Sequence, residues 1–255
     1  MSKITLFLLL IGIFGQLSAQ NVSYKKYEYV GTGASQHYQY LPMLAGKHIG
    51  VVTNHTAIIQ KIVHQKDSTI TVQNEHLVDF LLSKKVKIEK VFAPEHGFRG
   101  TADAGEVIKD GVDSKTKLPI VSLYGKNKKP TAEQLKGIEV MLFDLQDVGV
   151  RFYTYISTLH YVMEACAENY IPLVILDRPN PNGHYMDGAV LEPAYKSFIG
   201  MHPVPVVYGM TIAEYAQMIN GEKWLKGGIQ CNLKIVPLKS YDRKAIYPLP
   251  VPPSP

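Results

Sequence analysis

Short runs of β-branched and other apolar residues alternate along most of the chain with segments whose apolar residues recur at helical spacing. Six runs predict strands, at residues 47–54, 86–95, 118–125, 137–147, 171–180 and 229–238. Four segments predict helices, at residues 74–85, 131–137, 151–170 and 211–222. Strands and helices in this order form a parallel sheet that is covered by helices on both faces. The pattern therefore predicts an α/β fold with an open, mostly parallel sheet.

The two ends of the chain depart from this pattern. Lys3 precedes an apolar run over residues 4–14, which predicts a secretory signal peptide over residues 1–19. A membrane anchor is the alternative, but about eleven apolar residues are too few to cross about 30 Å of hydrocarbon. The proline-dense segment 247–255 cannot continue a helix or a central strand. We therefore expect an exported protein that continues beyond this junction into a further domain.

The composition is that of a globular protein with a substantial core. Of the 255 residues, 46% are hydrophobic, enough for one large domain or for one domain and part of a second. The net charge of +5 is modest and spread along the chain, so it gives no argument for nucleic-acid binding. Cys166 and Cys231 are the only cysteines. We expect two buried free thiols, with a single disulfide as the alternative.

Polar and charged residues gather where the predicted strands end. They are Asn54, His55, Glu95, His96, Arg99, Tyr124, Asp144, Gln146, Asp147, Arg151, Asp177, Arg178 and Asn180. Ligands of open parallel sheets bind outside the carboxyl ends of the strands. Because the strands themselves are apolar, this convergence predicts a site for a polar, multiply hydroxylated ligand.

Several of these residues have an ordinary structural alternative. Asp144 or Asp147 could cap the helix that follows, which is a common role of Asp at a helix start. Asp177 and Arg178 could form a structural ion pair before the turn that follows them. His55 is expected to be a hydrogen-bonding partner rather than a metal ligand. These alternatives stay open at the level of sequence.

The motifs of several other chemistries are absent. No HExxH, paired CxxC or EF-hand pattern occurs, so we expect no metal site. The glycines of residues 31–35 follow no strand and lack the third glycine of a dinucleotide-binding loop. No GxSxG elbow is present. We therefore expect no cofactor, and a metal-dependent phosphoesterase stays an alternative that chelators would inactivate.

The carboxyl groups at the strand ends suit glycoside hydrolysis. This reaction needs one acid to protonate the leaving oxygen and, in most families, a second carboxylate as base or nucleophile. Glu95 follows Pro94 in a turn and has a longer reach than Asp, so we assign it the acid role. Three residues compete for the second role: Asp147, Asp177 and Glu106.

Four long motifs occur in order along the chain: FAPEHGFRG, LFDLQDVGVRFYTYISTL, ILDRPNPNG and PVPVVYGMTIAEYAQMING. Together they resemble the DUF1343 family, the NamZ exo-β-N-acetylmuramidases of glycoside hydrolase family 171. The resemblance runs from about residue 41 to the end of the chain. It implies an exported or envelope-associated hydrolase that removes terminal N-acetylmuramic acid (MurNAc) from the non-reducing end of peptidoglycan fragments, in cell-wall turnover and recycling.

The resemblance also implies a Rossmann-like domain followed by a smaller C-terminal α/β domain, with the active site in the cleft between them. We expect this second domain to be truncated here. The expected organisation is a signal peptide at 1–19, an extension at 20–40, a Rossmann-like catalytic domain at 41–246 and a Pro-rich junction at 247–255. The candidate catalytic residues are Glu95, Asp147 and Asp177. The candidate substrate-binding residues are Asn54, His55, His96, Arg99, Tyr124, Asp144, Gln146, Arg151, Tyr153, Arg178 and Asn180.

MurNAc carries a lactyl carboxylate, and the planar guanidinium of arginine can bind both oxygens of such a group. We expect Arg99 or Arg151 to bind it and so to select MurNAc over N-acetylglucosamine (GlcNAc). Tyr124, Tyr153 and Tyr155 are expected platforms for a sugar face, although Tyr155 is equally expected in the core.

One departure from the family concerns the segment before Gly-Met-Thr. Some members have Arg-His there, whereas this chain has Val207 and Tyr208, which predicts an altered ligand contact. The expected partners are MurNAc-GlcNAc saccharides from peptidoglycan, with neither nucleic acid nor stable membrane insertion after signal removal. The alternative function is a non-catalytic envelope protein that binds muropeptides or sugars.

Overall fold

The computed structural model describes residues 30–64, 70–99 and 110–252. The predicted signal peptide and Glu106 lie outside these residues. The strands are β1 His48–Thr53, β2 Ile58–His64, β3 Ile70–His76, β4 Lys87–Ala93, β5 Gly111–Val112, β6 Pro119–Ser122, β7 Val140–Asp144, β8 Leu173–Leu176 and β9 Leu233–Val236. The α-helices are α1 His37–Leu44, α2 Leu77–Ser83, α3 Ala132–Leu135, α4 Tyr155–Glu168 and α5 Ile212–Gly221.

The main sheet has seven strands in the order β5-β6-β4-β1-β7-β8-β9. All neighbouring pairs are parallel except the antiparallel edge pair of β5 and β6. Without β5, the six parallel strands follow the doubly wound order of a Rossmann fold. The strand order reverses between β1 and β7, and this is where such sheets open a crevice at their carboxyl edge. The predicted α/β class, with a mostly parallel Rossmann-like sheet, is confirmed.

Alternating side chains of the central strands supply two cores, one on each face of the sheet. Val51 and Leu142 pack with α1 and α2, whereas Val52 and Phe143 pack with α4 and α5. Every residue of β7 is buried, which explains the continuous apolar run that predicted this strand. Helices therefore cover both faces of the sheet, so a ligand can reach the central strands only at their ends.

The four predicted helices are present, each with shorter bounds than predicted. α3 begins with a capping box in which Thr131 and Gln134 bond each other's backbone N–H groups, and Gly137 beyond it has φ 82°. Cys166 and Cys231 are both buried free thiols, as expected. In the described part of the chain, no helix is long and apolar enough to cross a membrane.

One part of the fold differs from the expectations. Residues 58–64 and 70–76 form an antiparallel hairpin, so the helix expected from residue 74 begins only at Leu77. Of the expected extension at residues 20–40, the structure describes residues 30–40, and in this part Ala34 and Tyr40 are fully buried in one of the two cores. Gly33 makes this packing possible, since a Cβ there would lie 2.4 Å from the backbone nitrogen of Asp177.

Candidate active site

The loops after β1 and β7 meet at the reversal of strand order. The Asn54 side chain donates to the Tyr155 hydroxyl at 2.5 Å and accepts from the backbone and hydroxyl of Thr56, at 2.9 and 2.6 Å. The Thr56 hydroxyl oxygen in turn accepts from the backbone N–H of Gln146, at 3.1 Å. Asn54 and Tyr155 are both buried, so these hydrogen bonds form an interior network that links the ends of β1 and β7 to the start of α4.

Glu95 stands at the end of β4, next to the start of α4. One of its carboxylate oxygens accepts from the Thr154 hydroxyl at 2.8 Å. Burial and a hydrogen bond with Glu95 raise the pKa of Tyr124, so the end of β6 also reaches this carboxyl group. Glu95 is partly exposed, which leaves room for a ligand beside it. Burial, with smaller contributions from the charges of Asp147 and Glu95, raises the pKa of Tyr153. Its ring contacts the Tyr155 ring edge-on, with ring centroids 4.7 Å apart.

Asp147 is a buried carboxylate that the protein holds by one oxygen. Its Oδ2 accepts from the backbone N–H of Gly149 at 2.8 Å and from the Tyr208 hydroxyl. Its Oδ1 is buried and has no hydrogen-bond partner among the described residues. Burial raises the pKa of Asp147 to about 6, against the opposing effect of the bonds from Tyr208 and Gly149.

Other buried atoms at the strand ends also lack a partner in the described residues. They are His55 Nδ1, His96 Nδ1, Gln146 Oε1 and Arg178 Nη1. With Asp147 Oδ1 they follow the four central strands β1, β4, β7 and β8. Buried polar atoms without partners are rare in native proteins, so their concentration at one edge of the sheet marks a binding site for a polar ligand.

Asp144 and Arg178 form an ion pair in the interior. Arg178 Nε and Nη2 donate to the two carboxylate oxygens of Asp144, at 2.5 and 2.8 Å, and both side chains are fully buried. The suggested pairing of Arg178 with Asp177 is therefore wrong. The suggested capping role of Asp144 or Asp147 is also wrong, because α4 has Thr154 at its N-cap position and no side-chain cap.

Asp177 joins β8 to the start of α5. Its Oδ1 accepts from the backbone N–H of Ala213 at 3.1 Å, and its Oδ2 accepts from the Thr211 hydroxyl at 2.9 Å. Burial raises the pKa of Asp177 to about 6. Both oxygens are thus bonded within the protein, and this makes Asp177 a weaker candidate than Asp147 for the second catalytic role.

Asn180 holds the neighbouring loops together. Its side chain donates to the carbonyl of Met210 and accepts from the backbone N–H of Asn182, both at 2.8 Å. It also packs against Gly149, which has φ 78° and where a Cβ would lie 2.1 Å from the Asn180 amide oxygen. The glycine of the DVGVR segment is therefore required by close packing as well as by its backbone conformation.

The two arginines expected to bind the lactyl carboxylate have partners within the protein. Arg99 Nε and Nη2 donate to Asp113 at 3.1 and 2.8 Å. Arg151 Nη1 donates to the carbonyl oxygens of Ala189 and Val204, at 2.8 and 2.5 Å. These contacts give Arg99 a structural role in the loop after β4 and Arg151 one in the segment before α5. Binding of the lactyl carboxylate by either arginine stays a prediction.

Arg99→Ala is expected to lower the free energy of unfolding by about 1–2 kcal/mol, because a partly buried bidentate pair is lost. The Arg99 guanidinium holds the pKa of Asp113 well below its usual range, so the pair stabilises at neutral pH and its contribution is lost on acidification. Urea unfolding of the wild type and the variant at pH 7 measures the effect. Unchanged stability together with a lost preference for MurNAc would contradict the structural role and support carboxylate binding by Arg99.

Sequence reasoning missed Thr56, Thr154 and Tyr208 as parts of the site. Thr154 lies inside the quoted motif of β7 and α4, so the motif itself was an available signal. Tyr208 was expected to alter a ligand contact, but it is buried and bonded to Asp147. Among the described residues, no group of three His, Cys, Asp or Glu side chains is placed to hold a metal ion.

The family described as "Exo-beta-N-acetylmuramidase NamZ, N-terminal" matches residues 49–255. The peptidoglycan beta-N-acetylmuramidase NamZ of Bacillus subtilis (strain 168) is 44% identical over 206 residues, which are 80% of this chain and 46% of that protein. A crystal structure of a DUF1343 family protein from Bacteroides fragilis NCTC 9343 superimposes with a TM-score of 0.77 at 42% identity, over 89% of this chain and 57% of its own. A crystal structure of a second DUF1343 family protein from the same strain has a TM-score of 0.72 at 38% identity, over 85% of this chain and 52% of its own. The chain thus spans about half the length of these relatives.

Proposed function

Because the chain belongs to the family of NamZ exo-β-N-acetylmuramidases, also named DUF1343, we propose that it acts as an exo-β-N-acetylmuramidase. In this role it hydrolyses the bond that joins a terminal, non-reducing MurNAc to the rest of a peptidoglycan fragment. The observation that carries the proposal is the set of unpartnered buried atoms at the carboxyl edge, beside the partly exposed carboxyl group of Glu95.

The unpartnered atoms favour a ligand that brings hydrogen-bond donors. Gln146 Nε2 donates to two carbonyl oxygens, at 2.8 and 2.7 Å, so its Oε1 is the free acceptor. His55 Nε2 lies 3.0 Å from the carbonyl oxygen of Pro252, which can only accept, so Nε2 carries the proton and the neutral ring has a free acceptor at Nδ1. Burial lowers the pKa of His55 and so favours this neutral form. With Asp147 Oδ1 there are three acceptors for hydroxyl and acetamido N–H groups of a sugar.

Glu95 has the general-acid role in this proposal. Its carboxyl group is partly exposed and is held by the hydroxyl groups of Thr154 and Tyr124, which restrict its position. From there it protonates the glycosidic oxygen as the bond to the anomeric carbon breaks. Asp147 is the preferred second carboxylate, because its Oδ1 can approach a sugar ring on which positive charge develops.

Asp147→Asn is expected to stabilise the fold at neutral pH while it abolishes turnover. The folded protein holds a proton on Asp147 up to about pH 6, whereas the unfolded chain releases it near 3.8, so the wild type loses stability as the pH rises between these values. Removing the charge should recover on the order of 2–3 kcal/mol above pH 6 and much less at pH 4. Urea unfolding of both proteins at the two pH values tests this. A difference that does not change with pH would contradict a raised pKa at Asp147.

The cellular setting is part of the same proposal. Residues 1–19 have the charge and hydropathy pattern of a secretory signal, which supports export to the periplasm or the cell exterior. Peptidoglycan lies outside the cytoplasmic membrane, so an exported enzyme would meet its fragments there. We place the activity in cell-wall turnover and recycling.

A panel of three disaccharides tests the proposal. MurNAc-β-1,4-GlcNAc should release free MurNAc, which mass spectrometry detects, whereas GlcNAc-β-1,4-MurNAc and GlcNAc-β-1,4-GlcNAc should remain intact. Glu95→Gln is the control that should release MurNAc about 10³-fold more slowly. Binding of MurNAc-GlcNAc without release by the wild type would instead favour the non-catalytic sugar-binding alternative.

A further inference from the structure

The Asp147 carboxylate is bonded asymmetrically. Two hydrogen bonds reach Oδ2, from the backbone N–H of Gly149 in its own loop and from the hydroxyl of Tyr208 in the segment before α5. The backbone of Val148 also bonds the carboxylate and, like these two, lowers its pKa. Its Oδ1 is buried and has no partner in the described part of the chain. The two oxygens therefore differ, and only Oδ1 can accept a hydrogen bond without displacing a protein group.

Tyr208 is itself held firmly. Only 2% of it is exposed, its backbone N–H donates to the Gly149 carbonyl at 3.4 Å, and its ring contacts Tyr215 edge-on at 4.8 Å. The position of the Tyr208 hydroxyl group is thus set by contacts other than its bond to the carboxylate. A bond from so rigid a donor restricts rotation of the Asp147 side chain.

Three further tyrosines lie close enough to Asp147 for its charge to change their pKa values. Burial and, to a smaller extent, the charge of Asp147 raise the pKa values of Tyr153 and Tyr155, near the start of α4, and of Tyr215 on α5. Tyr208 donates a hydrogen bond to the carboxylate. The nearest contrast is Tyr215, whose hydroxyl bonds His202 Nδ1 at 3.1 Å instead.

We propose that Tyr208 is a positioning residue that turns the Asp147 carboxylate so that Oδ1 faces the substrate. The inference rests on the proposed function and adds a residue to its machinery. Without the hydroxyl group, the carboxylate keeps only bonds to backbone groups of its own loop and loses its one side-chain anchor among the described bonds, so it can rotate and the substrate meets a mixture of orientations. A bond that favours the charged carboxylate is lost as well, which raises the pKa of Asp147.

Tyr208→Phe tests the proposal, because it removes the hydroxyl group and keeps the ring. We expect kcat on MurNAc-β-1,4-GlcNAc to fall about 10- to 100-fold with KM nearly unchanged. The limb of the pH profile that requires ionised Asp147 should move to higher pH. Tyr215→Phe is the matched control, since it removes a buried hydroxyl from the same cluster and should leave this limb in place. An unmoved limb in Tyr208→Phe, with only lower stability, would overturn the proposal.

A second readout does not depend on turnover. The carboxyl carbon of Asp147, identified in ¹³C NMR spectra by its loss in Asp147→Asn, should titrate at higher pH in Tyr208→Phe than in the wild type. If the wild type does not hydrolyse the disaccharide but this shift occurs, the proposed function fails and the control of Asp147 by Tyr208 stands. If the titration is the same in both proteins, the proposal about Tyr208 fails whatever the activity.

Discussion

Glu95→Gln is expected to lower kcat for release of MurNAc from MurNAc-β-1,4-GlcNAc by about 10³-fold, since a positioned general acid contributes roughly 10²- to 10⁴-fold. The amide cannot transfer a proton to the glycosidic oxygen. It keeps the size of the side chain and can still accept from the Thr154 hydroxyl, so KM should change little. Steady-state kinetics with chromatographic detection of free MurNAc measures both constants.

The leaving group provides an internal control for this variant. The 4-nitrophenolate ion leaves without protonation, so Glu95→Gln should lose far less activity on 4-nitrophenyl β-MurNAc than on the disaccharide. Thr154→Val is the matched control, because it removes only the hydroxyl that orients Glu95 and should cause a smaller loss on the disaccharide. Equal losses of Glu95→Gln activity on both substrates would contradict the acid role.

Asp144→Asn is expected to have the largest effect on stability, a loss of about 3–5 kcal/mol in the free energy of unfolding. The change leaves the Arg178 guanidinium buried without a counter-charge, at a position where neither side chain is exposed. Urea unfolding followed by circular dichroism gives the value. The pair lies at the carboxyl ends of β7 and β8, next to the candidate active site, so we expect the substitution to disturb the geometry of the site as well.

Two comparisons separate this effect from ordinary surface electrostatics. Glu75→Gln breaks the exposed pair with Lys61 on the hairpin and should cost less than about 1 kcal/mol. The double variant Asp144→Leu with Arg178→Met removes both charges and should be more stable than Asp144→Asn, because no unpaired buried charge remains. An Asp144→Asn variant as stable as Glu75→Gln would contradict the interior pair.

The parts of the fold that the sequence predicts are those in which a single pattern dominates. Strand β7 is buried on both faces, so its apolar run has one interpretation. The hairpin of residues 58–64 and 70–76 was missed because its second strand mixes polar and apolar residues and Val72 on it is exposed. Helix α1 was missed because a short segment with Pro42 inside it lacks a clear helical signal.

For the site, the sequence predicts which residues lie at the carboxyl edge but not which of them pair. Arg178 follows Asp177 directly and yet bonds Asp144, because the neighbouring strand end brings that carboxylate closer. The sequence places Arg99 at a strand end but does not show that it pairs with Asp113, fourteen positions later, because only the fold brings the two side chains together. Such pairings depend on tertiary geometry. Only the folded protein therefore shows that Glu95 is partly exposed and that Asp147 has an oxygen without a described partner, the features that favour these two candidates.

The most direct test of the central claim is a crystal structure of the Glu95→Gln protein with MurNAc-β-1,4-GlcNAc. We expect the terminal MurNAc at the carboxyl edge between β1 and β7, with its donor groups near Asp147 Oδ1, Gln146 Oε1 and His55 Nδ1. The glycosidic oxygen should lie within hydrogen-bond distance of the side chain at position 95. A disaccharide bound elsewhere on the protein, with these atoms still unpartnered, would contradict the account.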